Sequence, residues 1–306
     1  MTHSRSQVDL NVSVMLRSIE AIDASIPNFP SDTIKTCFKC NRVLIEDIDS
    51  IPARFSKYFA VMTTLADGNL TGKHLLDVGA GLGVFISQAK CLGMIPTGID
   101  IFIEYQGTCH QGAKCIFQAY GHSLEDAQQA FVSHDISKCP APGQKFDFVT
   151  SFGMLEHIYG EDTRRFVVHN MVKSVAPGGS LILTCGPNKY FPIDLHHYGP
   201  KFVFYHCLPL WARQVYLRAF AKPGQCMDPK WLNGMKVTEI KKHILESEPD
   251  MHIVQAFPLW VRLANSRWWR LRGVCRVVTG IARLLTTINI EPVIILVATK
   301  PLSEQQ

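Results

Sequence analysis

A parallel α/β sheet with crossover helices is predicted for this chain by three observations. From Lys73 onward, short apolar runs alternate with longer amphipathic stretches, the pattern that repeated strand–helix units impose on a sequence. The run Leu75-Leu76-Asp77-Val78 passes directly into Gly79-Ala80-Gly81-Leu82-Gly83 and then a helix-like segment, so a buried strand turns on glycines into a helix. The 306 residues are 47% hydrophobic and 19% charged, which supports a sizeable core and excludes a mainly disordered chain.

Taken in order, residues 1–70 are mixed and helix-prone, with breaks at Pro27, Pro30 and Pro52, and read as a helical N-terminal extension to a domain over 71–306. Strands are expected at His74 to Val78, Ile95 to Asp100, Ala130 to His134, Phe146 to Ser151 and Ser180 to Cys185. Helices should fill the gaps near Val84 to Leu92, Cys109 to Tyr120 and Thr163 to Val175. Pro177, Gly178 and Gly179 make the turn before the fifth strand. After Pro187 the regularity fails, because Pro192, Pro200, Pro209, Pro223 and Pro229 interrupt a stretch rich in aromatics and histidines, and an insertion over about 187–235 is expected. A helix near Lys236 to Ser247, a strand at Met251 to Phe257 and a last strand at Pro292 to Lys300 resume the pattern around a second insertion at 258–289.

Composition narrows the function classes. No apolar run approaches the roughly 20 residues that span a bilayer, and the polar N-terminus lacks the apolar core of a secretory signal, so the expected location is the cytoplasm. The ten cysteines are scattered and only Cys37 and Cys40 form a C-x-x-C, without a second pair, so reduced thiols are expected and no metal site. The formal charge of +5 is local: residues 258–289 hold Arg262, Arg267, Arg270, Arg272, Arg276 and Arg283 with no Lys, Asp or Glu, and the chain without these six carries −1. Interleaved with them stand Trp260, Trp268 and Trp269 and an apolar set, a composition that suits peripheral contact with an anionic membrane or a phosphorylated lipid-like ligand. A helical cap with solvated arginines accounts for the same composition. Six arginines on one insertion are weak grounds for nucleic-acid binding, which is disfavoured.

The glycine run carries the chemistry. Glycines after a strand let the backbone turn tightly and approach a ligand that a Cβ would exclude, and the following helix offers free N–H groups, so a nucleotide-like cofactor is expected. The spacing is G-x-G-x-G with Val84 next, not the G-x-G-x-x-G that admits a pyrophosphate, which argues against a nicotinamide-dependent oxidoreductase.

Here the sequence resembles the class I S-adenosylmethionine-dependent methyltransferases, whose first motif has an acidic residue two before the first glycine, as Asp77 stands before Gly79. The resemblance covers Lys73 to Lys189 well and implies a Rossmann-like, doubly wound seven-stranded sheet whose last strand is antiparallel. It implies cofactor contacts at Asp77, Gly79, Ala80, Gly81 and Gly83, a ribose contact at Asp100 beside Ile101, and an adenine contact at Asp135 with Ile136 on the ring. Phe152 and Gly153 would lie beside the methionine moiety. Helix capping by Asp100 and a plain surface role for Asp135 are the alternatives. The segment Phe146 to Ile158, with Leu155-Glu156-His157, resembles the small-molecule branch, including quinone-biosynthesis methyltransferases. Some of these hold a divalent metal with a Glu three before Glu156; this chain has Gly153 there.

An oxygen acceptor must lose a proton, and His157 is the candidate general base, or else a structural histidine. Asp194, His196, His197 and Tyr198 follow the fifth strand, where α/β proteins bind ligands, so His196 and His197 join it as candidates at the acceptor. Packing and loop hydrogen bonding are their alternative. The implied reaction is methyl transfer from S-adenosyl-L-methionine to a small or lipid-like acceptor, with O-methylation preferred. A methyltransferase-like binding module without turnover is the alternative.

Overall fold

The computed structural model describes residues 22, 24–27, 51–101, 107–191, 205–220, 228–230, 233–256 and 294–302. Strands β1 (His74–Val78), β2 (Ile95–Asp100), β3 (Phe131–Ser133), β4 (Phe146–Phe152), β5 (Val175–Cys185), β6 (His252–Gln255) and β7 (Ile294–Thr299) form one sheet in the order β3-β2-β1-β4-β5-β7-β6. β1 lies parallel to both β2 and β4, and β2 is parallel to β3. Sequence order reverses at β1, where β2 and β3 wind one way and β4 and β5 the other, so the expected doubly wound seven-stranded sheet is present. Brackets of helix separate the strands: α1 (Ile51–Leu65), α2 (Val84–Cys91), α3 (Gly107–Ala119), α4 (Leu124–Ala130), α5 (Glu161–Ser174), α6 (Leu210–Phe220) and α7 (Val237–Ser247).

The chain divides into two compact units, residues 1–150, 170–181 and 299–306 in the first and 151–169 and 182–298 in the second. In the first, Leu75 and Leu76 of β1, Ile86 of α2, Ile99 of β2 and Ile116 and Phe117 of α3 are fully buried. α1 belongs to this core, because Phe59 stacks on Phe85 with ring centroids 4.6 Å apart. In the second, Ile182 and Leu183 of β5, Ile240 and Ile244 of α7 and Leu296 and Val297 of β7 are buried. Val237, Ile240, His243, Ile244 and Ser247 line the inward face of α7 at helical spacing.

Two expected elements differ. The third strand is cut to Phe131–Ser133 because α4 precedes it, capped by Ser123, whose hydroxyl oxygen accepts the Asp126 amide at 3.0 Å; Ser123 with Asp126 three residues on is a capping pattern in plain view. The turn at Pro177–Gly179 is absorbed into β5, which starts at Val175. Extended pairing there is completed by the chain after β7: Gly178 donates to Pro301 O and Lys300 donates to Gly179 O, at 3.2 and 2.9 Å. A Cβ at Gly179 would stand 2.8 Å from the Asp147 carbonyl oxygen, so glycine is needed where β5 meets β4. Helix α6, inside the expected insertion, starts directly after Pro209, a residue that suits a helix start.

Candidate active site

In the first unit, β1 runs into a loop whose Gly79, Gly81 and Gly83 all have positive φ, at 80°, 50° and 70°. Gly79 and Ala80 donate their amides to Ile99 O at 2.9 and 3.1 Å, and Gly81 donates to Asp100 Oδ2 at 2.9 Å. The loop is thus tied along its length to the carboxyl end of β2. Two of its glycines have different reasons. A Cβ at Gly83 would lie 2.4 Å from Phe131 Cζ, whereas one at Gly81 would meet nothing nearer than Gly79 O at 3.9 Å. Gly83 answers to packing, and Gly81 leaves the backbone open to a ligand.

Asp77 and Asp100 are both buried, at 4% and 7% exposure. Asp77 is in register with Thr150 of β4 and accepts its hydroxyl at 2.7 Å. Burial pushes the Asp77 carboxyl up to about 7, the Thr150 bond opposes this, and the nearby Asp100 charge adds to it. Ile101, next to Asp100, is an apolar side chain left 53% exposed at the strand end, an open surface for a flat ring.

Asp135 is engaged within its own turn. Its Oδ1 accepts the Ser137 hydroxyl and amide at 2.6 and 3.0 Å, and Oδ2 pairs with Lys138 at 3.2 Å. The Ser137 hydroxyl above all, then its amide and Lys138, hold this carboxyl below the usual range. Ile136 is buried, and its carbonyl accepts Asn170 Nδ2 at 2.7 Å.

In the second unit, β4 ends at Phe152 and Gly153 turns at φ 71° while its amide donates to Thr184 O at 2.8 Å. A single helical turn, Leu155–His157, follows. Glu156 is 1% exposed, and its carbonyl accepts both the amide and Nδ2 of Asn233, at 2.8 and 3.0 Å. His157 is half-buried, with its amide donating to Met154 O at 3.0 Å. Arg164, itself buried, donates to Ile158 O at 3.1 Å and through Nη2 and Nε to Glu239 Oε1 at 2.9 and 3.3 Å. The Glu156–Ile158 corner is therefore fixed from two sides. Asp194, His196, His197 and Tyr198, and the arginine-rich residues 258–289, lie outside the described residues.

Thr150, Asn233 and the Arg164–Glu239 pair support these residues without being among those expected from the sequence. A polar residue in the otherwise apolar Phe148-Val149-Thr150 run is the one local signal for the first; the other two depend on pairing across more than 70 residues.

These residues fit an adenosyl cofactor that carries positive charge. Asp77, raised by burial, gains from a cationic neighbour, Asp100 is a buried carboxylate at the end of β2 bonded to the Gly81 amide, and Ile101 beside it is left exposed. Among the described residues no helix is long and apolar enough to cross a membrane.

Residues 52–226, more than half of the chain, match the family model described as a methyltransferase domain. A ubiquinone biosynthesis O-methyltransferase of Coxiella burnetii is 28% identical over 189 residues, 60% of this chain and 73% of that protein. The namesake enzyme of Klebsiella pneumoniae is 33% identical over 122 residues, 38% and 44% of the two chains. Among solved structures, a magnesium protoporphyrin IX methyltransferase from Synechocystis with bound S-adenosylmethionine has a TM-score of 0.46 at 16% identity, covering 84% of this chain and 83% of that one. Phosphoethanolamine N-methyltransferase 2 of Haemonchus contortus also has a TM-score of 0.46, at 15% identity, and this chain spans about half of it, 53%, with 81% of its own residues. With this family match over more than half of its residues and a doubly wound seven-stranded sheet, the chain belongs to the class I S-adenosylmethionine-dependent methyltransferases.

Proposed function

We propose that the chain O-methylates a small, apolar or lipid-like hydroxyl compound. The observation that carries this reading is the likeness to O-methyltransferases of ubiquinone biosynthesis over most of the Coxiella protein's length. Bound S-adenosylmethionine supplies a methyl group already activated by its sulfonium, so the protein's work is alignment, exclusion of water and removal of one proton. Asp100 would accept the ribose hydroxyls, Gly79, Ala80 and Gly81 would let the cofactor lie on the backbone while Gly83 closes the loop against Phe131, and Ile101 with Ile136 would flank its ring. Asp135 reaches the adenine only through lone pairs that its turn leaves over. Phe152 and Gly153 serve the methionine end. His157, on the corner held by Asn233 and Arg164, would take the proton that the acceptor hydroxyl gives up on methylation. His196 and His197 complete the acceptor side.

An apolar acceptor suits α6, where Trp211 and Val215, one turn apart, are 73% and 60% exposed. The arginine and tryptophan composition of 258–289 adds an affinity for anionic lipid. Co-sedimentation with anionic vesicles at low salt tests that addition, and absence of binding removes it.

Transfer from methyl-labelled S-adenosylmethionine into an extract of the source cell, partitioned between organic and aqueous phases, tests the main reading. Label in the organic phase that disappears with Asp77→Ala supports it. Label confined to the aqueous phase replaces the lipid-like acceptor with a soluble one, and cofactor binding without transfer makes the chain a binding module. His157→Ala should lower turnover far more than cofactor affinity; equal turnover ends its role as base.

A further inference from the structure

A second chemical centre lies within the second unit, between the first turn of α5 and α7. Glu161 in the first turn of α5, Glu239 in the first turn of α7 and His243 one turn later each offer a ligand atom, and these atoms all lie within 4.8 Å of one another. Glu239 and His243 are four apart on one helix, so their side chains share a face by geometry alone.

His243 is the informative member. It is 2% exposed, and neither ring nitrogen has a hydrogen-bond partner among the described residues. Its Nε2 lies 4.0 Å from Glu239 Oε1 and its Nδ1 3.6 Å from Glu246 Oε2, both too long for a hydrogen bond. A buried imidazole with both nitrogens unsatisfied is costly, and native proteins seldom retain one without a ligand or a water. Donors bound to one ion at about 2.1 Å each stand about 3 to 3.5 Å apart, so modest rotation of the exposed Glu161 and of Glu239 closes the set. Arg164 holds Glu239 through Oε1, which leaves Oε2 of that carboxylate for another partner.

We propose that Glu161, Glu239 and His243 bind a divalent first-row transition-metal ion. One imidazole nitrogen with two carboxylates favours ions such as Mn2+ or Zn2+ over Ca2+ and Mg2+, which prefer oxygen throughout. The Arg164 charge opposes a cation and the Glu246 carboxylate offsets it, so micromolar rather than tighter binding is expected. Glu161 enters α5 four residues after His157, so the ion staples α7 to the helix that begins behind the Leu155–His157 corner. It is a positioning site and does not depend on which acceptor is methylated.

Mn2+ is the probe of choice, since the cysteines of this chain compete poorly for it. Titration of the full chain should give one bound ion whose pulsed paramagnetic resonance spectrum carries an imidazole nitrogen coupling. Glu161→Gln, a surface change that leaves the circular dichroism unaltered, should weaken binding by about tenfold or more. His243→Gln should remove the nitrogen coupling. Should that buried variant fail to fold, the exposed Glu161 decides alone. No bound Mn2+, bound Mn2+ without nitrogen coupling, or affinity unmoved by Glu161→Gln would each overturn the proposal.

Discussion

Thr150 on β4 donates its hydroxyl to the carboxylate of Asp77 on β1 at 2.7 Å, across a parallel strand pair that sets the two residues opposite each other. The bond gives a carboxyl at 4% exposure a polar partner, yet burial still raises its pKa to about 7.

Asp77→Asn should stabilise the cofactor-free protein at neutral pH. The folded pKa of Asp77, about 7, lies above its ordinary value of 3.8, so the folded chain holds the proton more tightly. Its contribution to stability is full below about pH 4 and is lost as pH rises through about 7. Asn keeps the acceptor for Thr150 and never ionises. Urea denaturation from pH 4 to 8 should show the variant's advantage growing up to about pH 7 and then level; a flat difference contradicts the raised pKa.

A cationic cofactor should bind with release of a proton. Since the charge of S-adenosylmethionine favours ionised Asp77, affinity should rise up to about tenfold per pH unit below pH 7 and flatten above it. Calorimetry at pH 6.5 in two buffers of different ionisation enthalpy measures the proton directly. In Asp77→Asn the buffer dependence should vanish.

Gly83→Ala and Gly81→Ala should fail in different ways. The first forces a methyl to 2.4 Å from Phe131 at a φ of 70° and should lower stability by about 2 kcal/mol or more. The second meets only an ordinary contact with Gly79 O at 3.9 Å, at a φ of 50°, so it should cost about 1 kcal/mol of stability but much more in cofactor affinity. Thermal melts with and without cofactor separate the two.

Arg164→Met should destabilise the chain by about 3 kcal/mol, because it strands Glu239 in a site where the two side chains are 10% and 14% exposed and removes the donor to Ile158 O. Adding Glu239→Gln should return part of the loss. Chemical denaturation of the two variants provides the check.

Much of this architecture is local and therefore readable from the chain. β1 and β2 appear where apolar runs end on Gly79 and Asp100, and α2 starts where the last loop glycine releases the chain. Hydrophobic period and turn chemistry suffice for such elements. What escaped reading depends on partners distant in sequence: β5 extends back to Val175 because residues after β7 pair with it, and Asn233 meets Glu156 across 77 positions. Asp135 shows the opposite case, in which a position expected at the cofactor by resemblance is engaged by its near neighbours, Ser137 and Lys138.

Asp100→Ala should weaken cofactor binding by about ten- to a hundredfold, the loss of a charge-assisted pair of hydrogen bonds, and should also free the Gly81 amide. Unchanged affinity by calorimetry removes Asp100 from the site.

That amide has a wider consequence. A glycine-rich turn at a helix start ordinarily welcomes phosphate, because its N–H groups point outward without acceptors. Here Gly79 and Ala80 have spent theirs on Ile99, and Gly81 has spent its own on the Asp100 carboxylate. A loop so arranged should disfavour phosphates more than a sulfonium nucleoside, so ATP and NAD are expected to compete poorly at a turn that looks, in outline, built for them.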